Sequence, residues 1–116
     1  MIKEPCIFCK IVKKEISAKI VFEDNKVIGF EDIKPQAPVH IVIIPKYHIE
    51  KISDTTEESI HLIGQLVLTA KNIAKERNIQ ESGYRIVINC NKDAGQEVFH
   101  LHLHLLGGRK FTWPPG

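Results

Sequence analysis

Residues 99–106 read Phe99-His100-Leu101-His102-Leu103-His104-Leu105-Leu106, and Gly107-Gly108-Arg109 follows. Imidazole changes charge near neutral pH, so histidines at a spacing of two are a chemical feature before a structural one. A strand sends residues i, i+2 and i+4 to one face. That groups His100, His102 and His104 and sends Leu101, Leu103 and Leu105 to the other face. A helix turns by about 100° per residue and would carry His102 away from both neighbours. The leucine alternation and the closing glycines predict a strand over the whole histidine run, apolar behind and imidazole in front. Such a front can supply a neutral nucleophile for phosphorus or carbon, a hydrogen-bond donor to a developing anion, and a proton shuttle. The chain has neither a serine nucleophile elbow nor a glycine-rich phosphate loop, so imidazole is the candidate nucleophile. Gly107-Gly108-Arg109 has two readings. It brings backbone N–H groups and a cation to an anionic substrate, or it is a tight turn with a solvated arginine.

Cys6 and Cys9 form the second chemical feature. Their spacing suits zinc, which needs two further ligands, and histidines are available. A redox dithiol is another reading, although such pairs normally follow a strand in a thioredoxin-like pattern that is absent here. Two small buried apolar residues are the third.

These groups need elements to position them. Ile7, Phe8, Ile11 and Val12 have helical spacing after Pro5, which predicts a short helix with Cys6 and Cys9 on one side. The runs 20–24 and 27–31 flank Asn25-Lys26 as a hairpin. Residues 32–38 form a loop held extended by Pro35 and Pro38. Residues 39–44, rich in β-branched side chains and closed by Pro45, suit a central strand. Residues 53–58 offer N-cap residues with glutamates three positions on, as in a capping box. A long helix follows to about Arg77, with Ile63, Leu66, Val67, Ala70, Ile73 and Ala74 as its buried stripe and His61 on its surface. Lys71, Lys75 and Arg77 suit the C-terminal end of its dipole. Residues 84–89 are a further strand, and 90–96 a polar loop. The expectation is an α+β fold in a single domain, 1–116. Its antiparallel five-stranded sheet carries one long helix on one face, beside the short N-terminal helix.

Composition bounds the partners. The chain is 43% hydrophobic and 26% charged, ordinary for a soluble domain. A formal charge of +2 with scattered lysines gives no reason to expect nucleic acid. Met1–Cys6 lacks the apolar run of a leader, and no stretch reaches the length of a membrane span. The expected location is the cytoplasm, with the nucleus left open. Three cysteines, an odd number, argue against a disulfide framework there.

The run His100-Leu101-His102-Leu103-His104-Leu105-Leu106 resembles the signature of the histidine triad family. Gly95-Gln96, Pro35-Gln36-Ala37-Pro38-Val39-His40 and Ile44-Pro45-Lys46-Tyr47-His48 resemble that family in order and distance, so the likeness covers nearly the whole chain. The tail Trp113-Pro114-Pro115-Gly116 is most similar to the purine nucleoside phosphoramidase branch. The resemblance implies the histidine triad fold and a hydrolase that acts on the phosphorus–nitrogen bond of purine nucleoside phosphoramidates. His102 would attack the α-phosphorus and carry the nucleotidyl group. The His100 carbonyl would hold its tautomer, His104 would bond a phosphate oxygen, and His40 would assist the leaving group. Asp32 would take the ribose hydroxyls, and Ile7, Phe8, Ile11, Ile33 and Val42 would form the base slot. Asn89, Gln96 and Val98 would lie near the phosphate. Glu97 stands where that branch often has serine, and a carboxylate there would favour an amine leaving group over an anion.

The same resemblance implies a structural zinc on Cys6, Cys9, His48 and His100, with no metal required for catalysis. It also implies a homodimer, with the long helix at the two-fold and Trp113 reaching the partner's site. AMP or GMP would be the bound nucleotide. A dinucleoside polyphosphate hydrolase and a nucleotide-binding regulatory module with incidental turnover remain as alternatives. A zinc-structural interaction protein leaves His102 and His104 without a role.

Overall fold

The structure, a computed structural model, describes residues 5–116; the start of the stretch read above for a leader, residues 1–4, lies outside the described residues. Val39–Pro45 (β3) is the middle of a five-stranded antiparallel sheet. Ile20–Glu23 (β1) and Val27–Glu31 (β2) lie on one side of it, Leu103–Gly107 (β5) and Tyr84–Val87 (β4) on the other. β3 is buried from His40 to Pro45, as its β-branched run requires of a strand covered on both faces. Ile41 and Ile43 join Val27, Leu103 and Leu105 beneath the long helix α2 (Ile60–Glu76). Val42 and Ile44 join Ile28 and Phe30 on the other face, where the short helix α1 (Ile7–Val12) contributes Ile11 and Phe8. Among the described residues no helix is long and apolar enough to cross a membrane.

The histidine strand is shorter than its alternation predicts. β5 begins at Leu103, so His100 and His102 sit on an irregular approach to it. Pro45 is the reason. The β3–β5 ladder runs only to Ile43 opposite Leu103. Beyond it, Pro45 has no N–H to donate and its carbonyl accepts from the His100 ring at 2.8 Å. Leu101 donates its N–H to Ile49 instead, at 2.6 Å. β4 stops at Val87 rather than Asn89, its last partner on β5 being His104.

α2 also departs from expectation in detail. Its buried residues are Leu66, Thr69, Ala70, Ile73 and Ala74, while Val67 is 43% exposed. The contact arc is centred on Leu66, Ala70 and Ile73, and Val67 lies about 100° around the helix from Leu66. Ile60 and Leu68 are exposed with it, which leaves an outward apolar strip. The capping box uses Thr56 and Ser59, not the glutamates.

Candidate active site and metal-ligand cluster

Strand register brings the first two imidazoles together. Val42 is opposite His104 and His40 is opposite Leu106, so His40 and His104 are diagonal neighbours on the face away from α2. Their rings meet at His40 Nε2 and His104 Nδ1, 2.9 Å apart. The tautomers follow from the backbone. The Gln36 N–H donates to His40 Nδ1 at 3.0 Å, so His40 carries its proton on Nε2 and donates to His104 Nδ1. His104 then holds its own proton on Nε2. Asp32 Oδ2 lies 3.4 Å from His40 Nε2, while its other oxygen accepts from the Lys34 N–H.

His102 is set independently. Its Nδ1 donates to the His100 carbonyl at 2.8 Å, which leaves the lone pair on Nε2. Its ring packs against His104 at 5.0 Å and edge-on to Phe8 at 5.2 Å. His102 and His104 line a cleft of about 370 Å³ with Asp32, Lys34, Gln36, His40, Val42, Asn89, Glu97 and Val98. An apolar slot of about 320 Å³ shares Phe8, Asp32, Val42 and Val98 with it and adds Ile7, Ile11, Phe30 and Ile33.

The expected site residues are therefore distributed as follows. Ile7, Phe8, Ile11, Ile33 and Val42 line one slot, although Ile33 is 91% exposed. Asp32, Asn89, Glu97 and Val98 line the cleft. Gln96 is buried, and its amide is spent on the backbone. It donates to Glu50 and Val98 carbonyls at 2.8 and 3.1 Å and accepts from the Asn91 N–H at 2.8 Å. It braces the loop beneath the cleft and is not part of its wall. Trp113 is 83% exposed and outside both cavities of this chain. Arg109 donates to the Gln36 carbonyl at 3.1 Å and lies 4.2 Å over Phe111, so it reaches the site only through the His40 loop. Gly107 belongs to packing, since a Cβ there would sit 2.5 Å from Ile79. Sequence reasoning missed Gln36 and Pro45, whose roles are carried by main-chain groups that no side-chain pattern reveals. Lys34 was missed too, and its position two residues after Asp32 was the available signal.

Cys6, Cys9, His48 and His100 converge on the other side of Phe8. His100 Nδ1 is 3.4 Å from Cys6 Sγ, 3.5 Å from Cys9 Sγ and 3.1 Å from His48 Nδ1. Cys9 Sγ is 3.2 Å from His48 Nδ1, and all four atoms lie within 4.8 Å of one another. The edges of a tetrahedron with metal–nitrogen bonds of ~2.0 Å and metal–sulfur bonds of ~2.3 Å are ~3.3–3.8 Å. Because His100 donates Nε2–H to Pro45, its Nδ1 presents a lone pair to the cluster. The donor set and its spacing fit a metal ion held in a closed site.

Burial lowers every imidazole of the two groups that has a resolved shift. His104 is pushed down to about 4 by burial and by the neighbouring His102 and His40. His100 is pushed down to about 4, chiefly by burial. His40 and His102 are also lowered by burial, against the opposing pull of Asp32. Neutral rings are what nucleophilic attack requires.

The α+β sheet thus sets neutral, tautomer-fixed imidazoles beside an apolar slot. The profile of the HIT domain matches residues 13–111, and the chain belongs to that family. It is 49% identical to a 14 kDa zinc-binding protein of Zea mays, over 97% of this chain and 88% of the relative. Adenylylsulfatase HINT1 of Arabidopsis thaliana is 49% identical, over 97% of this chain and 77% of the relative. The solved structure of a HIT family hydrolase from Legionella pneumophila superposes with a TM-score of 0.94 at 51% identity, covering 96% of this chain and 99% of that one.

The lowered His104 makes a stability prediction. Its unfolded value is ~6.5, so between that pH and about 4 the unfolded chain binds a proton that the folded chain refuses. Stability should therefore fall as pH drops from 7 to 4.5. In thermal melts, His104→Asn should show a shallower fall than the unmodified chain. Equal slopes would place the pH dependence elsewhere.

Proposed function

We propose that the chain is a nucleotide hydrolase that cleaves purine nucleoside phosphoramidates through a nucleotidyl-histidine. The observation that carries this reading is the His102 Nδ1 to His100 carbonyl bond, which leaves Nε2 as a nucleophile. The base enters the slot of Ile7, Phe8, Ile11, Ile33 and Val42, and Asp32 takes the ribose hydroxyls. His102 Nε2 forms a bond to the α-phosphorus as the bond to the leaving amine breaks. His104 Nε2–H bonds a non-bridging oxygen, and His40 assists the leaving group by holding His104 in that tautomer, while the amine nitrogen carries off a proton taken from solvent. Asn89 and the Val98 backbone lie along the phosphate. Water then attacks phosphorus and frees the nucleoside monophosphate, AMP or GMP. The likeness to a HIT family hydrolase and to an adenylylsulfatase supports nucleotide hydrolysis in general. Glu97 lines the cleft with no ion pair or side-chain hydrogen bond among the described residues, and its carboxylate supports an amine as the leaving group rather than an anion such as sulfate.

The test compares an adenosine phosphoramidate, adenylyl sulfate and diadenosine tetraphosphate. The phosphoramidate should be hydrolysed fastest, and His102→Ala should lower that rate by about 10³-fold or more. Glu97→Ser should shift the ratio toward adenylyl sulfate. Preference for the tetraphosphate would move the chain to the dinucleoside polyphosphate hydrolases. Nucleotide binding without turnover would favour a regulatory module.

Cys6, Cys9, His48 and His100 would hold one structural zinc, a reading supported by their tetrahedral spacing and by the zinc-binding maize relative. Elemental analysis should give one zinc per chain, and Cys9→Ser should lose it; full retention would exclude this ligand set. The apolar strip Ile60, Val67 and Leu68 supports a homodimer through α2, which would also carry Trp113 to the partner's cleft. Sedimentation should give about twice 13.2 kDa, and Leu68→Glu should shift it to the monomer.

A further inference from the structure

His100 belongs to two structures at once. Its ring meets Cys6, Cys9 and His48, and its carbonyl fixes the His102 tautomer. Phe8, between the two cysteines in sequence, packs edge-on to both His100 and His102. α1 has six residues, too few to persist without tertiary anchors, and it supplies Phe8 and Ile11 to the apolar slot. Whatever happens at the thiols therefore bears on the nucleophile and on a slot wall together.

The thiols are not equivalent. Cys9 is fully buried. Cys6, 8% exposed, forms part of the wall of an adjoining cavity of about 340 Å³, lined also by His48, Glu50 and Phe99 and sharing Glu97 and Val98 with the cleft. The Cys9 N–H donates to Cys6 Sγ at 3.3 Å, which sets the two sulfurs on one side of the helix start. A thiol at a cavity wall with a fully buried thiol three residues on is the arrangement of an attacking and a resolving cysteine.

We propose that Cys6 and Cys9 are an oxidation site for low-molecular-weight disulfides, and that closing their disulfide loosens His100 and weakens its hold on His102. The Cys6 thiolate attacks one sulfur of the small disulfide. That bond breaks, and one small thiolate leaves. The Cys9 thiolate then attacks the Cys6 sulfur of the mixed disulfide and expels the second small thiolate. The cysteine pair loses two electrons and the reagent gains them. A Cys6–Cys9 disulfide can no longer offer two thiolates, so the four-ligand set is broken and metal affinity is lost. The His100 ring loses its two thiolate partners and keeps only the Pro45 carbonyl and His48 beside it, so the carbonyl that holds His102 is less firmly placed. The effect on turnover rests on the hydrolase reading above; the thiol chemistry does not.

The test treats zinc-loaded protein with glutathione disulfide. Intact mass should fall by two hydrogens, peptide mapping should join Cys6 to Cys9 and leave Cys90 unlinked, and one zinc should appear on a chromogenic chelator. Thiol reductant with zinc should reverse all three. Cys90→Ser should react identically, and Cys9→Ser should stop as a glutathione adduct on Cys6. Unchanged thiols with zinc retained, or an adduct confined to Cys90, would overturn the proposal. On the phosphoramidate, kcat of the oxidised protein should fall at least ~10-fold and recover on reduction. Full kcat in the oxidised protein would overturn the link to His102. Zinc release and disulfide closure in a chain that never hydrolyses a nucleotide would support the thiol site and overturn the hydrolase reading instead.

Discussion

The hydrogen bond from His102 Nδ1 to the His100 carbonyl organises the site. A carbonyl can only accept, so the proton is pinned to Nδ1 and the lone pair to Nε2. That geometry needs residues 100–102 to leave the regular ladder, because a pleated strand spends its carbonyls on its neighbours. Pro45 makes the departure possible. It ends the pairing of β3 with β5, and its free carbonyl receives the His100 ring. The loss of strand on the approach to β5 is thus the source of the tautomer control.

The same logic recurs at His40. Its tautomer is fixed by a main-chain N–H of the loop after β2, and Arg109 steadies that loop from the far end of β5. The cleft is assembled from backbone groups that orient rings and from rings that pass the orientation on. Burial completes the arrangement by keeping the imidazoles neutral. A solvated triad would titrate near neutral pH and would not keep one nucleophilic lone pair.

Much of this was legible in the chain. Leu101, Leu103 and Leu105 are fully buried, as their alternation requires, and the β-branched run 39–44 lies at the sheet centre. The apolar slot was expected from the family resemblance alone; helical spacing supplied only the shared face of Ile7, Phe8 and Ile11, and Ile33 is 91% exposed in the loop beyond it. The limits are equally specific. Periodicity cannot see that Pro45 ends a ladder two strands away in sequence, so β5 came out too long. Val67 fits a helical stripe as well as Thr69 does until the sheet fixes which arc of α2 it covers. Gln96, polar and close to the histidines, looks like a ligand residue until its amide is found between three backbone groups.

The sequence by itself determined the chemistry available: imidazoles in a run, a pair of thiols, one carboxylate in a proline-held loop, and apolar residues with the right periods. It determined these because side-chain type and short-range spacing are local properties. Which ring serves the cluster and which faces the cleft was decided only in the tertiary structure. His100 and His102 are chemically identical and two residues apart. One is turned to the thiols by the Pro45 carbonyl and the other to the cleft by the His100 carbonyl, and main-chain acceptors brought in from elsewhere in the fold leave no mark in the sequence.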